Sequence, residues 1–157
     1  VDLINRGLII NSKNANAYFQ LGNARIMQQE FSLALKAFTR ASTLKPKFWE
    51  ALNNQALVLF ETNQNEKAIN RWRQVLQINQ NAEPMLALAA ALYQKNKNSY
   101  EAIELAKKAL SKNPNYISPS YQAEQLWGKQ LKKAANQLLA NPGLALATER
   151  AKANSSQ

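Results

Sequence analysis

The sequence has 157 residues, 20 basic and 10 acidic side chains for a formal net charge of +10, and neither cysteine nor histidine. This length corresponds to about one domain with its own hydrophobic core. Without thiols or imidazoles, the chain lacks the residues for a zinc finger, a disulfide framework or a histidine general base. The composition therefore argues against an enzyme, and we expect no cofactor and no bound metal.

Three segments of the chain share one apolar pattern that recurs every 34 residues. Within each segment, apolar residues follow the first alanine after four and seven positions, which places one apolar stripe along a helix. A second helical segment precedes each of them. The three segments read LALKAFTRAS, KAINRWRQVL and EAIELAKKAL, and their first shared alanines are Ala34, Ala68 and Ala102.

The segment before Ala34 carries a second motif. Tyr18, Leu21, Gly22 and Arg25 have the spacing of the phrase W-x2-L-G-x2-Y. Together with the 34-residue period, this pattern resembles the tetratricopeptide repeat (TPR), a pair of helices that stacks on its neighbours. The resemblance implies an all-α fold: a right-handed α-α superhelix, or TPR solenoid, closed by a C-terminal capping helix.

The same register predicts the domain organisation. The three repeats occupy residues 15–48, 49–82 and 83–116, and residues 1–14 are the second helix of a truncated preceding repeat. Ser118 and Pro119 begin a capping helix within 117–141, and residues 142–157 form a short helix and a frayed tail. Because the chain starts with Val1 partway through a repeat, we expect a fragment of a longer chain.

No apolar run reaches the roughly 18 residues that a membrane-spanning helix needs. The sequence therefore predicts a soluble domain and leaves its compartment open.

The resemblance implies that the first helix of each repeat lines a concave groove that binds a peptide or helix of a protein partner. Large apolar side chains at solvent-facing groove positions favour an interaction site. An alternative remains that these side chains belong to the core or are covered by the C-terminal helix. The predicted groove residues are Phe19, Asn23, Ile26, Met27, Asn53, Asn54, Leu57, Phe60, Ala87, Ala91 and Gln94.

Two groove asparagines, Asn23 and Asn54, can present side-chain amides to the main chain of an extended peptide. TPR domains that bind chaperone tails resemble this chain at these two positions. Their three basic clamp residues, however, correspond here to Phe19, Pro84 and Leu88, which offer no charged donor to a terminal carboxylate. We therefore predict a more apolar peptide or helix as the ligand.

The positive charge concentrates on the second helices, which the resemblance places on the convex face. A solvated face explains this charge, and a basic surface for nucleic acid or an anionic membrane is the alternative. Nucleic acid is disfavoured because cations and aromatic rings lie together in one cluster only, residues 45–49. Self-assembly through an uncovered end of the solenoid is a third possibility. The predicted basic face comprises Lys36, Arg40, Arg71, Arg73, Lys107 and Lys108.

Overall fold

A computed structural model describes residues 14–156, and all regular secondary structure in this range is helical. The predicted helix within residues 1–14 lies outside the described residues, apart from Asn14. The nine α-helices of the described range are α1 (Ala15–Met27), α2 (Phe31–Leu44), α3 (Trp49–Glu61), α4 (Asn65–Ile78), α5 (Ala82–Lys95), α6 (Tyr100–Lys112), α7 (Pro119–Glu124), α8 (Lys129–Leu139) and α9 (Ala145–Asn154). Two short 3-10 helices, Pro114–Ile117 and Pro142–Leu144, lie before α7 and α9.

The chain forms two compact units, Val1–Ile78 and Asn79–Gln157, here called unit 1 and unit 2. In unit 1, α1 packs on α2, α2 on α3, and α3 on α4. In unit 2, α5 packs on both α6 and α8, while α9 packs on α6 and on the first 3-10 helix. The pairs α1–α2 and α3–α4 lie within the predicted ranges 15–48 and 49–82, and α5 begins one residue before 83.

The apolar stripe predicted for the second helices is confirmed. Ala34, Ala68 and Ala102 are fully buried, as are Phe38 and Trp72 four residues after the first two. Each large side chain buried in this way contributes roughly 1.5–3 kcal/mol relative to its exposed state. The stripe is therefore a main source of the cohesion within each helix pair.

Gly22 allows α1 and α2 to approach closely. A Cβ atom at this position would lie 2.4 Å from Cε1 of Phe38, well inside van der Waals contact. The absent side chain leaves room for the Phe38 ring, which packs with Ala34 and Val58 in a buried cluster. The glycine of the sequence motif is thus explained by packing.

The connections α1–α2 and α3–α4 share one backbone feature. Gln29 and Asn63, which are 34 positions apart in the chain, adopt left-handed conformations with φ of 59° and 63°. Asparagine tolerates this conformation better than glutamine does, because its short side chain bonds locally. Both connections reverse the chain with the same geometry.

The predicted single capping helix is wrong, since the chain forms two helices there, α7 and α8. Leu126 adopts a left-handed conformation with φ of 68° between them. The turn brings Trp127 into the core of unit 2, where its ring packs 5.6 Å from that of Tyr116. Gly128 is then the N-cap of α8. Burial of the indole stabilises the break in the helix.

The predicted frayed tail also needs correction, because Ser155 and Ser156 are held by Asn115. The backbone N–H of Ser156 donates to Asn115 Oδ1 over 2.9 Å, and both serine hydroxyls donate to the same oxygen. The described part of the tail is therefore attached to the segment that follows α6.

Candidate functional site

Four hydrogen-bonded side chains cross unit 1 from α4 through α3 to α1. Trp72 Nε1 donates to Asn53 Oδ1 over 3.1 Å. Asn53 Nδ2 donates to Asn54 Oδ1 over 3.1 Å, and Asn54 Nδ2 donates to Asn23 Oδ1 over 2.8 Å. We call these four residues the amide chain. The first three are buried, and Asn23 is half-buried at the far end.

The direction of these bonds follows from the indole of Trp72. An indole N–H donates a hydrogen bond and never accepts one, so Asn53 must turn its oxygen toward Trp72. The amide of Asn53 then faces Asn54 with its nitrogen, and Asn54 in turn faces Asn23 with its own. Consequently Asn23 uses its oxygen inside the protein and directs Nδ2, a donor, away from the amide chain.

The surface of α1 around Asn23 is apolar. Phe19, four residues before Asn23, packs its ring against Phe38 and Phe48 with centroid distances of 5.9 and 5.0 Å. Ile26 packs on the buried cluster beneath α1, and Phe19 and Ile26 are both half-buried. Met27 is 74 % exposed. We call Phe19, Asn23, Ile26 and Met27 the α1 surface.

Two predicted groove residues of α3 have a different environment. Leu57 and Phe60 are 2 % and 1 % exposed, so the expectation that they face solvent is wrong. The ring of Phe60 packs 6.0 Å from that of Trp72. Every residue from 51 to 60 is buried, which means that α3 is enclosed on all its sides. The alternative interpretation, that these side chains belong to the core, is confirmed.

The other predicted groove residues also include both buried and exposed side chains. Asn53 and Asn54 are buried, and the bonds of the amide chain join them to each other, to Trp72 and to Asn23. Asn54 therefore positions Asn23. Contrary to the prediction, the side chain of Asn54 does not itself reach the surface. In unit 2, Ala87 and Ala91 are buried whereas Gln94 is exposed.

The predicted basic residues lie at the surface of both units. Arg71 is half-buried and donates to Gln74 Oε1 over 2.8 Å. Lys107 forms an ion pair with Glu104 at 3.1 Å. The guanidinium of Arg40 lies 5.8 Å from the centroid of the Tyr18 ring. The exposed members are Lys36, Arg40, Arg73, Lys107 and Lys108.

The carboxylate of Glu83 in unit 2 forms hydrogen bonds with two side chains of the C-terminal segment. Glu83 Oε2 accepts a hydrogen bond from Trp127 Nε1 over 3.0 Å, and Glu83 is also hydrogen-bonded to the Tyr116 side chain. Burial and, after it, the charge of Glu83 raise the pKa of Tyr116 far above its ordinary value. Tyr116 therefore stays protonated and donates. This cluster attaches the segment after α6 to α5.

The sequence pattern identified Trp72 as a stripe residue but missed its polar role. A buried indole N–H nearly always has a hydrogen-bond partner. Residues 53–55 of the preceding helix are polar. The need of the Trp72 N–H for a partner could therefore have indicated the amide chain.

Neither a metal site nor a membrane span emerges from the described part of the chain. Residues 14–156 contain no group of three or more Asp or Glu side chains placed to hold a metal ion. Within the same range, none of the helices has the length and apolar character needed to cross a bilayer.

No protein-family model matches the chain. Its fold is similar to the crystal structure of MamA, with a TM-score of 0.67 and 22 % identity over 96 % of this chain and 86 % of that chain. It is also similar to YrrB, described as a TPR protein with an unusual peptide-binding site, with a TM-score of 0.61 and 15 % identity over 96 % of this chain and 80 % of that chain. The predicted all-α TPR fold is thereby confirmed.

Proposed function

We propose that this chain is a protein-interaction scaffold whose α1 surface binds an extended, apolar peptide segment of a partner. The observation that carries the proposal is the amide chain, which fixes Asn23 as a hydrogen-bond donor at the edge of the core. The main-chain carbonyl of an extended peptide is the matching acceptor. The fold shared with a TPR protein that has a peptide-binding site supports the same function.

The neighbours of Asn23 determine the side chains that such a peptide carries. Phe19 and Ile26 are fixed by core contacts and expose only part of their surface, while Met27 is exposed and adaptable. A methionine adjusts to partners of different shape. An apolar side chain next to the bound carbonyl would pack against these residues and exclude water from the hydrogen bond.

The test selects binding peptides from a random phage-displayed library on the protein and measures them by fluorescence anisotropy. We expect Asn23→Ala and Met27→Ala each to weaken the selected peptides about five- to tenfold, the loss for one hydrogen bond or one apolar contact. Asn16→Ala is the matched control, because Asn16 is an exposed asparagine of the same helix. Selected peptides that bind all three variants equally would refute the α1 surface as the site.

A thioamide scan of the best peptide locates the carbonyl. Replacing each main-chain oxygen by sulfur in turn weakens the acceptor at one position only. We expect one sensitive position, and we expect its sensitivity to vanish in Asn23→Ala. A sensitive position that remains sensitive in this variant would assign the carbonyl to another donor.

A further inference from the structure

We propose that a cleft in unit 2, remote in sequence from the α1 surface, binds an acidic peptide segment that carries an apolar side chain. The cleft has a volume of about 590 Å³ and lies between α6, α9 and the two 3-10 helices. This volume falls in the usual range of ligand pockets, about 300–1,000 Å³. The cleft shares no residue with the predicted groove.

Apolar side chains form about half of the walls of the cleft. Leu110, Pro114 and Ala147 line it, and Leu146 stands at its rim with 57 % of its surface exposed. A large aliphatic side chain exposed beside apolar cleft walls indicates an interaction site, because covering it removes apolar surface from water. The occupant must therefore contribute an apolar group of matching size.

Two cations flank these apolar walls, and no acidic residue lines the cleft. Arg150 of α9 has no carboxylate partner among the described residues. Lys107 of α6 is paired with Glu104, but both side chains of that pair are nearly half exposed to solvent. An exposed pair of this kind contributes little, about 0–1 kcal/mol, so an incoming carboxylate can compete for Lys107.

The combined chemistry selects an occupant with an apolar side chain between carboxylates. Arginine binds a carboxylate through two parallel hydrogen bonds, and lysine adds a point charge. The exposed rim at Leu146 favours a segment of a larger chain over a small molecule enclosed on all sides. The net charge of +10 attracts such an acidic segment over a distance.

The experiment measures binding of a fluorescein-labelled octapeptide, DELFELDE, to the full chain by fluorescence anisotropy at low salt. A peptide of the sequence NQLFQLNQ keeps the apolar residues and removes the acidic side chains. We expect the acidic peptide to bind at least tenfold more tightly than the neutral one. We also expect its affinity to fall about tenfold between 50 and 300 mM salt, because charge attraction is screened.

Two charge reversals on α9 locate the site. Arg150→Glu should weaken the acidic peptide about tenfold or more. Lys152→Glu is the matched control, because Lys152 is an exposed cation of the same helix that does not line the cleft. It should change the affinity less than threefold. Circular dichroism verifies that both variants keep their helix content.

The apolar contact is tested by Leu146→Ser, which should weaken both peptides by a similar factor, about fivefold. Equal losses for Arg150→Glu and Lys152→Glu would overturn the proposal in favour of diffuse attraction to a basic surface. Absence of binding at low salt would overturn it as well. Dodecanoate that binds the parent chain more tightly than the Arg150→Glu variant, while neither peptide binds, would assign a fatty-acid ligand to the cleft in place of a peptide.

Discussion

The indole N–H of Trp72 donates to Asn53 Oδ1 over 3.1 Å, and this bond determines the orientation of the three side-chain amides of the amide chain. A side chain of the core thereby determines whether Asn23, at the surface, offers a donor or an acceptor. Two further side chains, those of Asn53 and Asn54, separate Trp72 from Asn23, whose hydrogen-bonding direction Trp72 sets.

Asn53→Asp should reverse this polarity. A carboxylate only accepts, so Asp at this position would accept from both Trp72 and Asn54. Asn54 would then turn its oxygen toward Asn23, which would donate inward and leave its own oxygen at the surface. We expect peptide binding at the α1 surface to fall about tenfold or more while the fold is retained.

Side-chain amide resonances in NMR spectra of the free protein check this reversal without any ligand. In the parent protein the NH2 protons of Asn54 should exchange slowly and those of Asn23 quickly; in Asn53→Asp both pairs should be protected. Trp72→Phe is the companion variant, because it removes the donor and leaves both orientations accessible. Identical Asn23 exchange in all three proteins would show that Trp72 does not set the direction.

Gly22→Ala should destabilise unit 1. Alanine favours a helix over glycine by about 1 kcal/mol, but its Cβ would lie 2.4 Å from the Phe38 ring. Overpacking of this kind costs typically about 1–3 kcal/mol, and after the helix gain we expect a net loss of about 1–2 kcal/mol. Urea denaturation measures the change. In a Phe38→Leu background the same substitution should cost less, and an undiminished cost would show that the ring is not the obstacle.

Gln29→Gly should stabilise the chain by about 0.5–1 kcal/mol. Gln29 holds a φ of 59°, which glycine adopts without the steric penalty of a Cβ atom. Asn63→Gly is the control at the equivalent position, where the gain should be smaller because asparagine already tolerates this conformation. Thermal unfolding compares the two variants. Equal gains would contradict the idea that residue type controls the strain.

Stability should fall steeply at alkaline pH because of Tyr116. Its pKa in the folded chain lies far above the value of about 10 expected in an unfolded chain. Below pH 10 both states hold the proton; above it, the unfolded state releases a proton that the folded state keeps. The free energy of unfolding then decreases by up to about 1.4 kcal/mol per pH unit.

Urea midpoints between pH 8 and 11 check this dependence by comparing the parent with Tyr116→Phe, in which the decrease should be smaller. Tyr100→Phe, at a tyrosine that is 77 % exposed, should leave the decrease unchanged. Equal slopes for all three proteins would exclude Tyr116 as the source.

The sequence predicted the second helices well, because their burial follows a simple helical period. Ala34 and Phe38 lie four positions apart on one stripe, and charged residues such as Lys36 and Arg40 are exposed outside it. The same reasoning failed for α3, whose residues 51–60 are all buried. The resemblance assigned Leu57 and Phe60 to a solvent-facing groove, whereas both are buried, and Phe60 packs against Trp72 of the next helix.

The break between α7 and α8 was equally hard to predict. A left-handed residue is usually glycine or asparagine, whereas here it is Leu126. The cause lies in tertiary structure, since Trp127 reaches Glu83 more than 40 positions earlier in the chain. For the candidate site, the sequence placed Asn23 among the predicted groove residues but gave no information on which of its two polar atoms faces outward.

The amide chain contains no group that gains or loses a proton in the physiological range. Its members are one indole and three carboxamides, and the whole sequence lacks histidine. Acidification to about pH 4 would therefore leave the donor at Asn23 unchanged, whereas the proposed recognition at the Arg150 cleft requires ionised carboxylates on the partner, whose pKa values lie near 4. Two binding surfaces on one small chain would thus respond differently to acidity, the first constant and the second released as the partner's carboxylates become protonated.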